Sequence, residues 1–508
     1  MRQRIKMYRA ALAFASLGTG LCVSAAQTPA QGPGPRPVHN AVNVANAGPV
    51  AFSADRKIAA ALSSISPDNV RADIEKLVSF GTRNTLSSMS TDLPPGQGIL
   101  PAADWIESEF KRISADCGGC LEVKRDDFTE PGSTEARSRI PKPTRLVNVY
   151  AILHGTSQNK AAPWTLVTGH YDSRATDVMN PTLTAPGAND DASGVAVSIE
   201  SARALSKLKL TGTIIFAAVA GEEQGLNGSR HLAQLAKSEG WPLEAVLNDD
   251  IVGGDTTPGE TQADKHAVRV FSESVPATAT PEQQKQILGL GAENDSPSRE
   301  LARTIAEISP AYLHPAAFRP PPRHGVHSNL IGMTESFHPV LEQRRDRYLR
   351  GGDHSSFNAE GFTAVRFTEW RENFDHQHQT LRSENGVEYG DYLKFVDLGY
   401  VANVARLNAA TLASLADGPS PPQNVKVLTR ALDNNSELTW EPSAFAPPGT
   451  TYEVVWRDTT AMQWEHVVTA ANATDINLGV SKDNVLFGVR AVSANGERSL
   501  PVPPLPAR

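Results

Sequence analysis

Two adjacent glutamates, Glu222 and Glu223, directly follow an apolar run at residues 213–220. The run is short, uncharged and β-branched at its start, which predicts a buried strand. A carboxylate at the end of a buried strand is costly unless a metal ion or a partner group holds it. The pair therefore marks a place where this chain could do chemistry.

Histidine and further carboxylates occupy similar positions upstream. His170 and Asp172 lie in the motif GHYDS, at the end of another apolar strand, and Asp190 and Asp191 lie in PGANDDASG. Histidine and carboxylate side chains are typical zinc ligands, and zinc held by them can promote hydrolysis. Gathered at the ends of neighbouring strands, these motifs predict a zinc site built for hydrolysis.

The elements that must position these side chains alternate between strands and helices. Apolar periodicity and capping residues predict strands at 145–153, 165–169, 211–220, 243–248, 268–271 (an edge strand) and 362–367, and helices at 66–78, 102–113, 193–205, 229–238, 296–308 and 389–415. The alternation favours an α/β fold, a mixed, mostly parallel sheet with helices on both faces. Ligands of such sheets bind beyond the carboxyl ends of the strands. We therefore expect His170, the Glu222–Glu223 pair and Asp250 at one edge of the sheet.

The start of the chain differs in composition from this middle part. Early basic residues, an apolar run and a cleavage motif at 23–25 predict a signal peptide over residues 1–25, and hence a secreted or periplasmic protein. A lipid anchor at Cys22 is a disfavoured alternative. Residues 26–52 are rich in Pro, Gly, Ala and Asn, which predicts a flexible leader.

A Pro-rich linker at 417–422 ends the α/β domain, which is expected to span 53–416. Beyond it, short alternating segments and an Asn495-Gly496 turn predict an all-β sandwich. Residues 423–508 resemble a fibronectin type III domain, which implies an interaction or anchoring module for a polymer or cell surface. A passive spacer is the alternative.

Bulk composition restricts the classes of partner. The chain has 508 residues, too many for one core, and a net charge of −8. A mild acidic excess argues against a nucleic-acid partner. After the signal peptide no run is apolar and long enough for a transmembrane segment.

Two cysteines remain after the signal peptide, Cys117 and Cys120, and their spacing in an exported chain predicts a local disulfide.

Five motifs in a fixed order resemble metallopeptidase family 28, the co-catalytic zinc aminopeptidases. They are GHYDS, PGANDDASG, GEEQGLNGS, NDDI and NFDHQHQT, and the resemblance covers residues 66–416. The family also includes relatives of glutamate carboxypeptidase and of glutaminyl cyclase. The resemblance implies an exopeptidase of the zinc exopeptidase fold, and the predicted signal peptide implies its export. The resemblance further implies an aminopeptidase that removes N-terminal residues from peptide substrates by means of a hydroxide shared between two zinc ions.

The resemblance also implies a role for individual residues. Asp190 would bridge the two ions, Glu222 would be the general base, and Asp172 would orient a ligand histidine. The implied metal ligands are His170, Asp190, Glu223, Asp250 and His376. His378 is the alternative to His376, because Thr380 stands where the family usually has an aspartate. A cis peptide bond after Asp190 is also implied.

Other functions remain open from the sequence. A carboxypeptidase of the glutamate carboxypeptidase type would need a cation for the substrate carboxylate, and the run RRDRYLR at 344–350 offers four arginines. A glutaminyl cyclase would not need His170 as a ligand. A non-catalytic adhesion or binding protein would be expected to lack Glu222 or a ligand. Asp353 and His354 resemble a family segment near the site, and a helix cap is the alternative for Asp353.

Overall fold

The computed structural model describes residues 41–42, 44, 47–313, 336–470 and 473–508. The predicted signal peptide, the Cys22 anchor and most of the predicted leader lie outside these residues. Within them, no helix is both apolar and long enough to cross a bilayer.

The described part of the chain contains nine α-helices. They are α1 (Arg56–Leu62), α2 (Pro67–Val78), α3 (Ile99–Asp116), α4 (Ala192–Leu205), α5 (Asn227–Glu239), α6 (Pro281–Leu290), α7 (Pro297–Leu313), α8 (His354–Ala359) and α9 (Leu398–Ala416). Short polar side chains begin several of them, because a side-chain oxygen satisfies the free N–H groups of the first turn. Ser66 caps α2 in this way and Asp191 caps α4.

The strands separate into one large sheet and several smaller ones. They are β1 (Gly48–Pro49), β2 (Leu121–Glu130), β3 (Thr144–Leu153), β4 (Trp164–His170), β5 (Thr213–Val219), β6 (Leu243–Asp249), β7 (Ala267–Ser272), β8 (His338–Glu342), β9 (Ala364–Glu369), β10 (Arg382–Glu384), β11 (Val387–Tyr389), β12 (Gln423–Leu428), β13 (Ser436–Glu441), β14 (Thr451–Asp458), β15 (His466–Ala470), β16 (Asp475–Leu478), β17 (Val485–Val492) and β18 (Leu505–Ala507). The large sheet has eight strands in the order β2-β3-β5-β4-β6-β9-β7-β8.

Parallel pairing dominates the centre of this sheet. Strand β4 pairs in parallel with both β5 and β6, and β6 pairs in parallel with β9. The β7–β8 pair is also parallel, whereas β2–β3, β3–β5 and β7–β9 are antiparallel. The predicted mixed α/β sheet is therefore confirmed. The register sets His170 opposite Val219, so β4 and β5 end at the same level.

Helices cover both faces of the large sheet, and successive residues of β5 face opposite sides of it. Its residues alternate between two hydrophobic clusters: Ile214 and Phe216 lie in one, and Ile215 and Ala217 lie in the other. The first cluster packs the sheet against α2, α3, α4, α7 and α9, and the second packs it against α5 and α8. Burial on both faces explains why this strand reads as one continuous apolar run.

Two predicted elements differ from the structure. The predicted edge strand at 268–271 corresponds to β7, which lies between β9 and β8, so the edge position was wrong. The edge strands are β2 and β8, and neither was predicted from the sequence. The helix predicted from residue 389 begins only at Leu398, because Asp397 caps it there and residues 387–389 form a strand.

Close packing of α4 on the sheet depends on glycine. A Cβ at Gly169, in β4, would lie 2.4 Å from the backbone of Gly194, in α4. A Cβ at Gly194 would in turn lie 2.3 Å from the carbonyl oxygen of Asp249. Such distances exclude any side chain, so these two glycines allow the start of α4 to approach the ends of β4 and β6.

The strands after α9, together with β1 from near the start of the described residues, form two four-stranded sheets, in the orders β1-β15-β14-β17 and β16-β13-β12-β18. Buried residues of both sheets, including Trp440, Tyr452 and Val489, form one hydrophobic cluster. The likeness to a fibronectin type III domain stays a prediction. The end of the predicted leader differs from a flexible segment, since Gly48–Pro49 pairs with β15 and Val42 bridges to Leu478.

Buried ion pairs join α7 to the C-terminal sheets. The Arg490 guanidinium lies 2.7 Å from Glu307 and 2.9 Å from Glu453. Trp464 donates its indole N–H to Glu300 at 3.1 Å, and Arg457 lies 2.8 Å from Asp295. Because Arg490 is only 1% exposed, loss of its charge would leave buried carboxylates without a full set of partners.

We expect Arg490→Met, which keeps the aliphatic stem, to lower the free energy of unfolding by about 3–5 kcal/mol, the usual cost of breaking one side of a buried ion pair. The matched control is Arg430→Met, because Arg430 is an exposed arginine of the same region. Urea unfolding followed by tryptophan fluorescence measures both. Equal midpoints for the two variants would show that the buried pair does not stabilise this contact.

Candidate metal and catalytic centre

Three adjacent strands deliver the predicted site residues to one edge of the sheet. His170 is the last residue of β4, and Asp250 directly follows β6. Glu222 and Glu223 follow the neighbouring β5 after a turn at Gly221, whose φ is +75°. The strand order β5-β4-β6 therefore places His170 between the glutamate pair and Asp250, as expected for an open α/β sheet.

Two groups of potential metal ligands share Asp190. His170, Asp190 and Asp250 form one group, and Asp190, Glu223 and His378 form the other, with the ligand atoms of each group within 4.8 Å of one another. Asp190 Oδ1 lies 3.1 Å from His170 Nε2, whereas Asp190 Oδ2 lies 2.8 Å from His378 Nε2. Each carboxylate oxygen of Asp190 thus faces a different group.

The donor atoms in these groups fit metal ions. His170 Nε2 is buried and faces Asp190 Oδ1 at 3.1 Å, and Glu223 Oε1 is buried and faces His378 Nε2 at 2.9 Å. Burial would raise the pKa of Asp190, but His378 and His170 hold it well below its usual range. Imidazole nitrogens and carboxylate oxygens in groups of three match the three-ligand zinc sites that leave one position open. A cation in each group would also offset the cost of burying so many carboxylates.

The expected ligand His376 joins neither group, whereas the alternative, His378, joins the second one. The His376 ring stacks on Phe395 with the centroids 3.8 Å apart, and its Nδ1 lies 4.0 Å from Asp255. The chain turns at His378, whose φ is +57°, and this residue places its Nε2 2.9 Å from Glu223 Oε1. The segment lacks helical or strand periodicity, so its sequence gave no means to decide which histidine faces the carboxylates.

Glu222 lies beside the two groups without belonging to either. It is partly exposed, whereas Glu223 is buried. The protein around the Glu222 carboxylate excludes most water, and this desolvation raises its pKa well above the usual range, although His170 opposes the effect. A carboxylate that has a raised pKa and lies next to metal ligands, without being a ligand itself, can both accept and return a proton.

Asp172 connects the first strand end to the glutamate pair. Its Oδ1 lies 3.4 Å from His170 Nδ1, and its backbone carbonyl oxygen is closer to that nitrogen, at 3.2 Å. The same carboxylate accepts the backbone N–H groups of Glu222 and Glu223 at 3.2 and 3.1 Å. Asp172 therefore positions both glutamates and His170. Only its contact with His170 was predicted from the sequence.

Asp191 connects the ends of β4 and β6 to the start of α4 by hydrogen bonds. Its Oδ2 accepts the backbone N–H of His170 at 3.1 Å, and its Oδ1 accepts those of Gly194 and Ile251 at 3.0 and 3.2 Å. The Asp190–Asp191 peptide bond is cis, as the family resemblance implies.

Two supporting residues were not predicted. Asp391 accepts the backbone N–H groups of Asn189 and Asp190 at 2.8 and 2.7 Å. Arg366, fully buried in β9, lies 2.8 Å from Asp250 Oδ1. Both residues come from parts of the chain distant from the motifs, and a single Asp or Arg in an otherwise ordinary segment carries no signal of such contacts.

The arginines at 344–350 are engaged with the protein. Arg347 and Arg350 lie 2.8 and 2.5 Å from Glu372. Arg345 donates to the backbone of Ser355, and Arg344 lies over the ring of Tyr348. These contacts leave less of the run available as a clamp for a substrate carboxylate.

Asp353 precedes α8 without capping it by a side-chain hydrogen bond. Its carboxylate is buried, and burial raises its pKa to about 7. His354 is also buried, and its Nε2 lies 3.0 Å from the carbonyl oxygen of Arg345. The side chain of Asp353 therefore makes no capping hydrogen bond to α8.

Comparison with known proteins places the chain in a family. The sequence model of peptidase family M28 matches residues 148–297. A probable zinc metalloprotease of Leptosphaeria maculans is 43% identical over 452 residues, which cover 89% of this chain and 97% of the relative. A probable zinc metalloprotease of Pyricularia oryzae is also 43% identical, over 89% of this chain and 85% of the relative.

Solved structures with related folds are more distant. The Legionella pneumophila LapA aminopeptidase is 18% identical, with a TM-score of 0.46 over 72% of this chain and 76% of that one. A Porphyromonas gingivalis glutaminyl cyclase is 16% identical, with a TM-score of 0.42 over 68% of this chain and 98% of that one. Neither likeness is close enough to assign a reaction. The family match and the near-full-length relatives suffice for a plainer conclusion: the chain belongs to peptidase family M28.

Proposed function

We propose that the protein is an exported zinc-dependent aminopeptidase with two zinc ions. The observation that carries this proposal is the position of Asp190, whose two carboxylate oxygens face two separate groups of ligands. The names of the relatives, probable zinc metalloproteases, favour zinc as the metal. The mixture of imidazole and carboxylate donors favours the same ion.

Five residues would hold the two ions. His170 and Asp250 would bind one, Glu223 and His378 the other, and Asp190 would bind both. Zinc at these positions supplies a Lewis acid that polarises the scissile carbonyl and lowers the pKa of water to about 7. Arg366, paired with Asp250, and Gln377, which donates to Asp190 Oδ2 at 3.1 Å, would hold these two ligands in place.

Glu222 would be the general base and then the general acid. In the proposed reaction it removes a proton from the attacking water and returns that proton to the leaving amine, so its charge is restored in each cycle. Asp172 fixes its backbone by accepting the Glu222 N–H. Partial exposure gives the carboxylate access to a substrate, which a fully buried ligand such as Glu223 lacks.

Aminopeptidase activity is favoured over carboxypeptidase activity by the charges around the site. Among the described residues, the cleft beside Asp190 is lined by Asp255, Glu369 and Asp391 and by no lysine or arginine, so it offers no cationic partner for a substrate carboxylate. The arginines at 344–350 are engaged elsewhere. A glutaminyl cyclase or a binding protein that retains the fold remains an alternative, and the experiments below separate them.

Export rests on the predicted signal peptide. We propose a secreted or periplasmic location for the mature protein, with peptides as substrates and no nucleic-acid partner. The C-terminal sheets are proposed to contact a polymer or a cell surface.

Incubation of the purified mature protein with a mixed peptide library, with and without a zinc chelator, tests the proposed reaction. Mass spectrometry should show shortening from the N-terminus that the chelator abolishes. Shortening from the C-terminus, or loss of ammonia from N-terminal glutamine, would contradict the proposal.

Glu222→Gln should lower kcat by about 10²–10⁴-fold, the range expected for loss of a general base. Its zinc content, measured by inductively coupled plasma mass spectrometry, should equal that of the wild type, because Glu222 belongs to neither ligand group. The control is Glu282→Gln on the exposed face of α6. Undiminished turnover by Glu222→Gln would show that another group is the base.

His378→Ala and His376→Ala form a matched pair for the last ligand. His378→Ala should bind one zinc ion less per chain, or bind that ion at least 10-fold more weakly, because the second group loses its only imidazole. His376→Ala should retain both ions. Equilibrium dialysis against a zinc buffer measures the two affinities, and the reverse result would restore His376 as the ligand.

A further inference from the structure

Arg83, on the loop between α2 and α3, is a buried arginine that donates to several backbone carbonyl oxygens. It is 1% exposed. Its Nε donates to the carbonyl oxygen of Tyr171 at 2.6 Å, and its Nη1 donates to those of Leu77 and Pro186 at 3.1 and 2.6 Å. Its Nη2 donates to the carbonyl oxygen of Gly187 at 2.8 Å. A guanidinium presents its donors in a rigid plane, so these bonds fix several backbone segments relative to one another.

Three of these carbonyl groups belong to segments that carry potential metal ligands. Tyr171 directly follows His170, the last residue of β4. Pro186 and Gly187 precede Asp190 by four and three residues. The guanidinium therefore joins the end of β4 to the loop that carries the bridging aspartate.

The loop passes very close to this guanidinium at Gly187. The backbone there has a φ of +51°, which favours glycine. A Cβ at this position would lie 2.8 Å from Arg83 Nη2 and 2.6 Å from the carbonyl oxygen of Asp190. A side chain would collide with both groups, so glycine allows the loop to close around the guanidinium.

Asp391 holds the other half of the same loop. It is 7% exposed, and its carboxylate accepts the backbone N–H groups of Asn189 and Asp190 at 2.8 and 2.7 Å. Its backbone carbonyl oxygen accepts the N–H of Ala188 at 3.3 Å. Each residue from 186 to 190 therefore has a backbone group that is bonded either to Arg83 or to Asp391.

The two residues also carry opposite charges beside the ligand groups. Burial lowers the pKa of Arg83 to about 10, and Asp391 opposes this shift more than any other carboxylate. The guanidinium therefore keeps its positive charge at neutral pH. Opposite charges attract more strongly where water is excluded, so the charges of Arg83 and Asp391 stabilise each other.

We propose that Arg83 and Asp391 are positioning residues for the bridging carboxylate, and that through it they set the affinity of both zinc ions. Asp190 belongs to both ligand groups, so a shift of its backbone would move a ligand of each ion. A change at a residue of one group, such as His378, would affect one ion alone. This inference rests on the proposed function, because it requires two zinc ions that share Asp190.

Equilibrium dialysis of the full mature chain against a zinc buffer tests the inference. Arg83→Lys keeps the positive charge but not the planar set of donors, and Asp391→Asn replaces one acceptor oxygen with a donor. Each variant should bind both zinc ions about 10–100-fold more weakly, the usual effect of losing a group that orients a metal ligand. His378→Ala, which should weaken one ion alone, is the comparison. The matched controls are the exposed changes Arg71→Lys and Asp375→Asn, which should keep both affinities.

The outcomes separate this inference from the proposed function. A wild type that binds fewer than two zinc ions contradicts the proposed function, and the inference fails with it. If the wild type binds two ions and the Arg83 and Asp391 variants keep both affinities, or lose only one, the inference alone is overturned. Far-UV circular dichroism of the zinc-free variants should match that of the wild type. Loss of both ions only together with this signal would assign the two residues to fold stability, against the proposal.

Discussion

Both the fold and the proposed chemistry of this protein depend on several buried carboxylates that lie close together around Asp190. Asp190, Glu223 and Asp250 are buried within one small region, together with His170 and the partly exposed His378. Like charges at this separation repel strongly where water is excluded. Two cations placed between them would convert this repulsion into attraction. The proposed metal ions would therefore stabilise this part of the fold as well as take part in the reaction.

The rest of the domain holds these charges at fixed positions. Three strands end at the same level, and Asp191 ties two of the strand ends to the start of α4 through backbone N–H groups. Asp172 does the same for the turn that carries Glu222 and Glu223. Because each of these contacts involves the backbone, the ligand positions depend on the sheet and not on flexible side chains. Catalytic sites that need small tolerances are commonly supported in this way.

Much of this arrangement was predictable from the sequence. Buried strands read as continuous apolar runs, and polar motifs directly after three of them predicted which side chains would meet. The sequence could not predict contacts from segments without periodicity or motif. His378 lies in an irregular segment, so its register was open, and the structure places His378 and not His376 beside the carboxylates. Arg366 and Asp391 approach the site from distant parts of the chain, and only the tertiary fold reveals their partners. The edge strand β8 and the pairing of β1 with β15 were missed for the same reason.

The central claim is that Asp190 lies between two zinc ions. A crystal structure of the zinc-loaded protein, with anomalous diffraction data collected above and below the zinc absorption edge, tests it most directly. The account predicts two anomalous peaks on either side of the Asp190 carboxylate, about 3.5–4 Å apart, one next to His170 and Asp250 and the other next to Glu223 and His378. A single peak, or a peak coordinated by His376, would contradict it.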